Sequence, residues 1–397
     1  AGESGRALRL TAVLLGAMLA ADTAGWQLSV RSETRSGSVE AAGVPTPSLS
    51  EQINVLAGLA GTSGRLRGDI AYAPILLYDF RARGDADVLH RGFATQIYKL
   101  ARGSTLTLGE DVAYGRRDFR PLTPQPTDPK RVLPPVEDPR LATVGVIPYL
   151  QWGASAGLDQ ALATGILLGL RGSYGASGGA DAGAREVLPL QHTADASARL
   201  GWVLDRRDSL GLLASFSRTT LNSGTSSSIV AGGMGIDHRF DLSTEGSLGA
   251  GASISRDEVK GVSTLAPVRP TAVAALTRSE LVFGRHLVSA ARVALDTAVD
   301  PLGSGTYSRV EGSLSVGFAP LRDLSFQVRG SGSRALTHKT ELQNSLWQLE
   351  GTTSWSFTRR MDASIGCRTA WADSAASPRT MQWSAFASIG FAYGERL

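Results

Sequence analysis

Nowhere do the 397 residues run through eighteen consecutive apolar side chains, so no segment can cross a bilayer as a helix. Charge is also sparse, at 19%, and the 40 basic and 36 acidic residues are interspersed without a basic block. That removes the usual footprint of a nucleic-acid-binding protein. A single cysteine, Cys367, excludes an intrachain disulfide and a cysteine-rich metal site. Aromatic residues reach only 7%. No H-E-x-x-H helix or Walker loop occurs, and nothing commits the chain to catalysis, to a metal or to a cofactor.

What is present is glycine, 46 residues of it, and an apolar content of 42% spread evenly along the chain. Low charge with recurring β-branched and aromatic residues argues against disorder. A membrane protein without an apolar helix has one other architecture available, a closed barrel in which every backbone group is paired.

The front of the chain has the layout of a secretory leader. Arg6 and Arg9 precede an apolar stretch from Leu10 to Ala21, followed by Asp22-Thr-Ala24. The expected organisation is therefore a signal peptide over 1–24 and one barrel domain over 25–397.

From Gly25 onward the dominant signal is alternation with period two. Trp383, Ala385, Ala387, Ile389, Phe391 and Tyr393 fall on one face, with Ser384, Ser388 and Gly390 on the other; Phe386 breaks the rule. Ala363, Ile365, Cys367 and Trp371 alternate with Ser364, Gly366 and Arg368 in the same way. These segments run to about ten residues or more, the length needed to cross hydrocarbon at a tilt, whereas strands of soluble sandwiches average five or six. Short polar links recur at 205–208, 240–243, 284–286, 320–323 and 358–361, with further ones expected near 61–65, 102–104 and 158–162. Between them fall longer links rich in Gly, Pro, Ser and Asp, at 37–48, 81–87, 120–140, 178–186, 222–226, 257–267, 300–306, 337–344 and 373–379. One tight rim and one elaborate rim mark a transmembrane barrel. The expected fold is all-β: an antiparallel up-and-down barrel of about eighteen strands, sixteen to twenty being compatible, with both ends at the tight rim.

Residues Ser388-Ile-Gly-Phe-Ala-Tyr393 match the closing strand of the porin-like class of bacterial outer-membrane proteins, which the chain resembles over nearly everything after the leader. The pattern departs at Glu395-Arg396-Leu397, where that class usually ends in an aromatic residue. The resemblance implies an outer-membrane location, with membrane lipid and the barrel-insertion machinery as partners.

The face opposite the apolar one carries Arg67, Asp69, Arg171, Asp195, Arg199, Arg278, Glu280, Arg292, Asp296, Arg309, Glu311, Arg329, Glu350 and Arg368. An Arg or Lys facing lipid at mid-depth costs roughly 2–4 kcal/mol, so this set is expected to line a hydrated interior. Barrels of about this size enclose an aqueous channel. The leading expectation is a channel for polar solutes or saccharides, with a polysaccharide-secretion pore served by a periplasmic export protein as its sharper form. Tyr98 and Phe386 are the candidate aromatic platforms for sugar. The rivals are an adhesive barrel that binds an external partner through its loops, and a rim hydrolase. The hydrolase would use His90, His192 or His338, the first with Asp85 and Asp87 nearby; His238 and His286 lie elsewhere. The proline-rich segment 120–140 is expected either to fold into the mouth or to stand outside it.

Overall fold

The computed structural model describes residues 23–41, 44–80, 86–119, 146–259, 261–300, 305–336, 345–374 and 377–394. The segment expected as a leader, 1–24, falls outside these residues apart from Thr23 and Ala24, which belong to the first strand. The segment 120–140, Asp85 and His338 also lie outside them.

The strands in chain order are β1 (Thr23–Ala41), β2 (Val44–Ser63), β3 (Leu66–Tyr72), β4 (Ile75–Asp79), β5 (Asp87–Ala101), β6 (Ser104–Asp118), β7 (Val146–Ala163) and β8 (Ile166–Gly179). A short helix, α1 (Ala182–Val187), leads to β9 (Gln191–Val203), β10 (Asp208–Leu221), β11 (Thr225–Arg239), β12 (Thr244–Val259), β13 (Val262–Leu265) and β14 (Arg269–Val282). The remainder are β15 (Arg285–Val299), β16 (Thr306–Leu321), β17 (Leu324–Ala335), β18 (Ser345–Ser356), β19 (Met361–Ser374) and β20 (Ser377–Gly394).

Two of these strands are interrupted, so twenty segments make an eighteen-strand wall. Segments β3 and β4 both lie between β2 and β5, and are separated by Ala73-Pro74. Segments β13 and β14 both lie beside β12, separated by a stretch that contains Pro267. Proline cannot donate to a ladder, which explains a break at these positions. Neighbours in sequence are antiparallel neighbours in the wall, and β1 closes the ring against β20 from Gln27↔Gly394 to Glu40↔Met381. The fold is a closed antiparallel up-and-down barrel of eighteen strands.

The outward face carries the large apolar side chains, as lipid requires. Leu28, Leu108, Leu212, Val230, Leu314 and Ile365 are all exposed, and they sit on one side of the ladders. Aromatic rings gather toward the strand ends of this face, where amphipathic rings meet the interface. Trp26 packs on Tyr393 at 5.2 Å and Trp355 on Phe357 at 4.5 Å at the tight rim. Cys367 is exposed on the same outward face.

The tight rim is built from turns whose side chains hold their own backbone. The Asp205 carboxylate accepts the N–H groups of Arg207 and Asp208, and Asp241 accepts the N–H and hydroxyl of Ser243. Thr358 does the same for Arg360 and Met361. Backbone donation from Arg207 and Asp208 lowers the Asp205 carboxyl below the ordinary carboxylate range, and the Ser243 hydroxyl and N–H lower Asp241. A carboxyl depressed in the folded state stabilises above its unfolded value, about 3.9, and loses that contribution as pH falls through the folded one. Amide exchange at Arg207 and Asp208, corrected for intrinsic rate, should therefore accelerate below about pH 4; a flat profile would contradict this.

At the other rim the structure departs from the expected loops. Much of 37–48, 257–267 and 373–379 is ladder: Ala41 pairs with Val44, Val259 with Val262 and Ser374 with Ser377, and β1 runs 19 residues and β2 runs 20, far beyond membrane need. Segment 222–226 contains only a tight turn between β10 and β11. The link expected at 158–162 is strand, and the turn falls later, at Gly165 with φ of 78°.

Candidate transport lumen

Residues directly opposite each other in a ladder point the same way, so the registers assign each strand residue to the outer or inner face. All but two of the charged residues picked out by alternation lie on the inner face. One row crosses β16 to β20 as Ser315–Arg329–Glu350–Arg368–Ser384. Arg368 donates through Nε to Glu350 at 3.0 Å, and its side chain is only 7% exposed. Arg309 joins Glu311 at 2.6 Å and Asp296 at 3.4 Å, Arg171 joins Asp159 at 2.7 Å, and Arg199 joins Asp237 at 3.2 Å. Asp195 accepts from Ser173 at 3.2 Å. Arg67, Arg292 and Arg329 are exposed on the inner face and make no ion pair among the described residues. Asp69 shares that face with Arg67.

Arg278 and Glu280 are corrections. Arg278 pairs with Ser289 and Glu280 with Leu287, and Leu287 in turn pairs with Phe318, which puts both charges on the outer, apolar face. They lie in the last turn-ward residues of β14 and bind each other at 2.5 Å. A charge this close to the rim reaches headgroups and water, so lipid exposure costs little there.

The inner face also holds charges that alternation alone had not singled out. Arg31 pairs with Asp362, and Arg35 with Glu33, both members of the latter pair being buried. Arg91 lies over Phe93 at 4.9 Å, and Arg117 lies over Phe119 and Tyr149 at 4.7 and 4.8 Å. The signal was legible in Arg31-x-Glu33-x-Arg35, which keeps the period of Leu28 and Val30 on the opposite face. These residues form a charged arc from β16 through β20 and β1 to β6.

Across the ring stands a wall of small residues. Ala231, Gly233 and Gly235 on β11 pair with Ser253, Gly251 and Gly249 on β12. A Cβ on Gly251 would lie 2.2 Å from the Gly232 carbonyl oxygen, so this sheet curvature requires glycine. The inner wall is thus uneven: ion pairs around buried arginines crowd β1 and β18 to β19, whereas small residues fill mid-depth positions on β11 and β12.

Two features narrow the outer mouth. Helix α1 lies on the inner wall, where Ala184 and Leu188 pack with Leu89, Phe119, Ile147 and Tyr149. Gly179 permits this approach, since a Cβ there would meet the Ala184 backbone at 2.4 Å. Farther round the wall, Asp257 accepts from Ser227 at 2.7 Å and from the Thr306 N–H at 3.0 Å, tying β11 and β12 to the start of β16.

The aromatic platforms divide. Phe386 is inward and 8% exposed, against Gly366, whereas Tyr98 pairs with Leu106 on the outer face and cannot stack on a solute in the lumen. Among the histidines, His90 is hydrogen-bonded to Tyr72 at 2.6 Å and His192 to Tyr174 at 3.1 Å, on the outer face. Asp87 is committed to Arg116 at 3.1 Å, and His238 to Asp208 at 2.6 Å. His286 lies at the tight rim, opposite Leu281.

A family model for exopolysaccharide export matches residues 17–393, which spans the whole barrel. The chain belongs to the EpsX exopolysaccharide export family. With this membership the closed barrel is an outer-membrane channel for polar solute or polysaccharide. No curated protein matches this EpsX-family chain. Among solved structures, it is similar to Pseudomonas aeruginosa OpdQ at 11% identity and a TM-score of 0.49, covering 94% of this chain and 98% of that one. It is similar to P. aeruginosa OccK2 (OpdF) in complex with glucuronate at 12% identity and a TM-score of 0.48, covering 92% and 98%. A third likeness is to P. aeruginosa OpdK with vanillate, at 12% identity and a TM-score of 0.49, covering 94% and 100%.

Proposed function

We propose that this EpsX-family barrel passes an exopolysaccharide chain outward through its lumen, receiving it at the tight rim from a periplasmic export protein. The carrying observation is the uneven inner wall. Small residues on β11 and β12 leave space for a pyranose chain, while the opposite arc offers guanidinium and carboxylate groups to its hydroxyls. Mixed Arg and acid walls set a transverse field that suits polar solutes. Exposed ion pairs such as Arg171–Asp159 and Arg199–Asp237 contribute only about 0–1 kcal/mol each, so they can exchange partners with a passing polymer at little cost. Helix α1 sets the width of the exit.

The test is conductance of the purified chain in a planar bilayer, with the exopolysaccharide added to one side. A steady open current that the polymer interrupts is the expected result. Replacing 181–187 by a short Gly-Ser link should raise the open current and shorten each interruption. A closed bilayer, or a current indifferent to the polymer, would contradict the proposal.

A further inference from the structure

We propose that the outer surface of β10–β12 binds the phosphorylated headgroup of an outer-leaflet glycolipid. The registers place Arg218 opposite Ser228 and Ser228 opposite Arg256, so two arginines flank one serine in a single row. The same row runs back through Ala194 to Tyr174, which fixes its side: Tyr174 is 47% exposed and belongs to the outer face. The row therefore faces the membrane and not the lumen.

Depth follows from the ladder. Arg218 lies three residues before Leu221, the end of β10, and Arg256 three before Val259, the end of β12. Two residues below them, Phe216, Val230 and Ile254 make the next outward row, with Phe216 and Val230 exposed as acyl chains would require. Cationic side chains stacked directly above an apolar row match the headgroup-to-acyl boundary of a lipid. Two ladder spacings separate the arginine backbones by about 10 Å, within reach of one phosphate group or two neighbouring ones.

Their partners support this reading. Arg218 has none among the described residues, and Arg256 spends one donor, Nε, on Ser263 at 2.6 Å. The remaining guanidinium donors suit phosphate oxygens, which bind arginine in a forked geometry. Glu258, two residues above Arg256 on the same face, would repel phosphate directly and suits the divalent cation that bridges neighbouring headgroups. On the adjoining strands Tyr174 and His192 stack at 6.2 Å and extend the surface at the interface.

The test uses the full chain in detergent micelles, titrated with diphosphorylated lipid A and read by native mass spectrometry. The wild type should retain the lipid, and R218S/R256S should bind it at least tenfold more weakly. The lipid with both phosphates removed should bind the wild type as weakly as the double variant binds the intact lipid. Unchanged single-channel conductance of R218S/R256S shows that the barrel is folded; should it fail to fold, R218K/R256K serves instead, losing the forked contact but keeping charge, with an intermediate affinity expected. Equal affinity of wild type and variants, or indifference to lipid phosphate, would overturn the proposal. So would saturable binding of inorganic phosphate at the affinity seen for the lipid, which would mark a site for a soluble anion.

Discussion

Replacing Arg67, Arg292 and Arg329 together with glutamate should make the open channel strongly cation-selective. These three guanidinium groups face the lumen without an ion-paired partner among the described residues, so each sets the local potential instead of cancelling a neighbour. Three exchanges of +1 for −1 change the wall by six charges, and the ratio of cation to anion permeability should rise by about an order of magnitude. Reversal potential under a salt gradient reads this directly. Replacing Arg171 and Arg199 with glutamate changes the wall by four charges and leaves the carboxylates of Asp159 and Asp237 unbalanced, so it should shift selectivity in the same direction. The selectivity shift should fade at high salt, where the Debye length drops to about 3 Å at 1 M. Unchanged selectivity in the triple variant would remove these residues from the ion path.

The barrel was legible because lipid enforces alternation. Between the two interfaces every outward position must be apolar or small, and the period survives even where a strand carries an exception such as Glu110, which pairs with Ala94 and Ala154 on the outer face. Beyond the outer interface that constraint ends. The ladders of β1 with β2 and of β19 with β20 run on past the length that crossing requires, so polar residues there read as loops although the strands stay paired. Asp159 and Gln160 misled for a related reason. They suggested a turn, whereas Asp159 is an inward residue bound to Arg171.

The inner face was legible in part. Alternation identified Glu350, Arg368, Arg309 and Asp296 because neighbouring apolar residues fixed their phase. It failed for Arg278 and Glu280, where the period held but the side was misassigned: Thr277 and Ser279, also polar, occupy the inner face beside them. It missed Arg35, Arg91 and Arg117, whose burial depends on residues far apart in sequence, such as Phe119 and Tyr149 under Arg117. The inward packing of α1 is likewise a tertiary fact. Its six residues carry only Ala184 as a buried anchor, too little to announce itself in the sequence.

The second large effect concerns two adjacent leucines. Leu212 pairs with Leu200 and Met234 on the outer face, whereas Leu213 pairs with Arg199 and Gly233 on the inner one. Both are exposed, at 42% and 51%, so neither exposure nor residue type separates them. Only the surroundings differ, hydrocarbon for one and water for the other. Arginine at 212 must bring its charge into the apolar band, at a cost of roughly 2–4 kcal/mol. Arginine at 213 enters the lumen beside Gly233 of the small-residue wall and should change stability by less than about 1 kcal/mol.

Reversible guanidinium unfolding of L212R and L213R in lipid vesicles tests the assignment of faces most directly. The structure predicts a midpoint markedly lowered for L212R and near the wild type for L213R. Equal loss in both, or the opposite order, would contradict a barrel whose apolar face meets lipid and whose charged face encloses water.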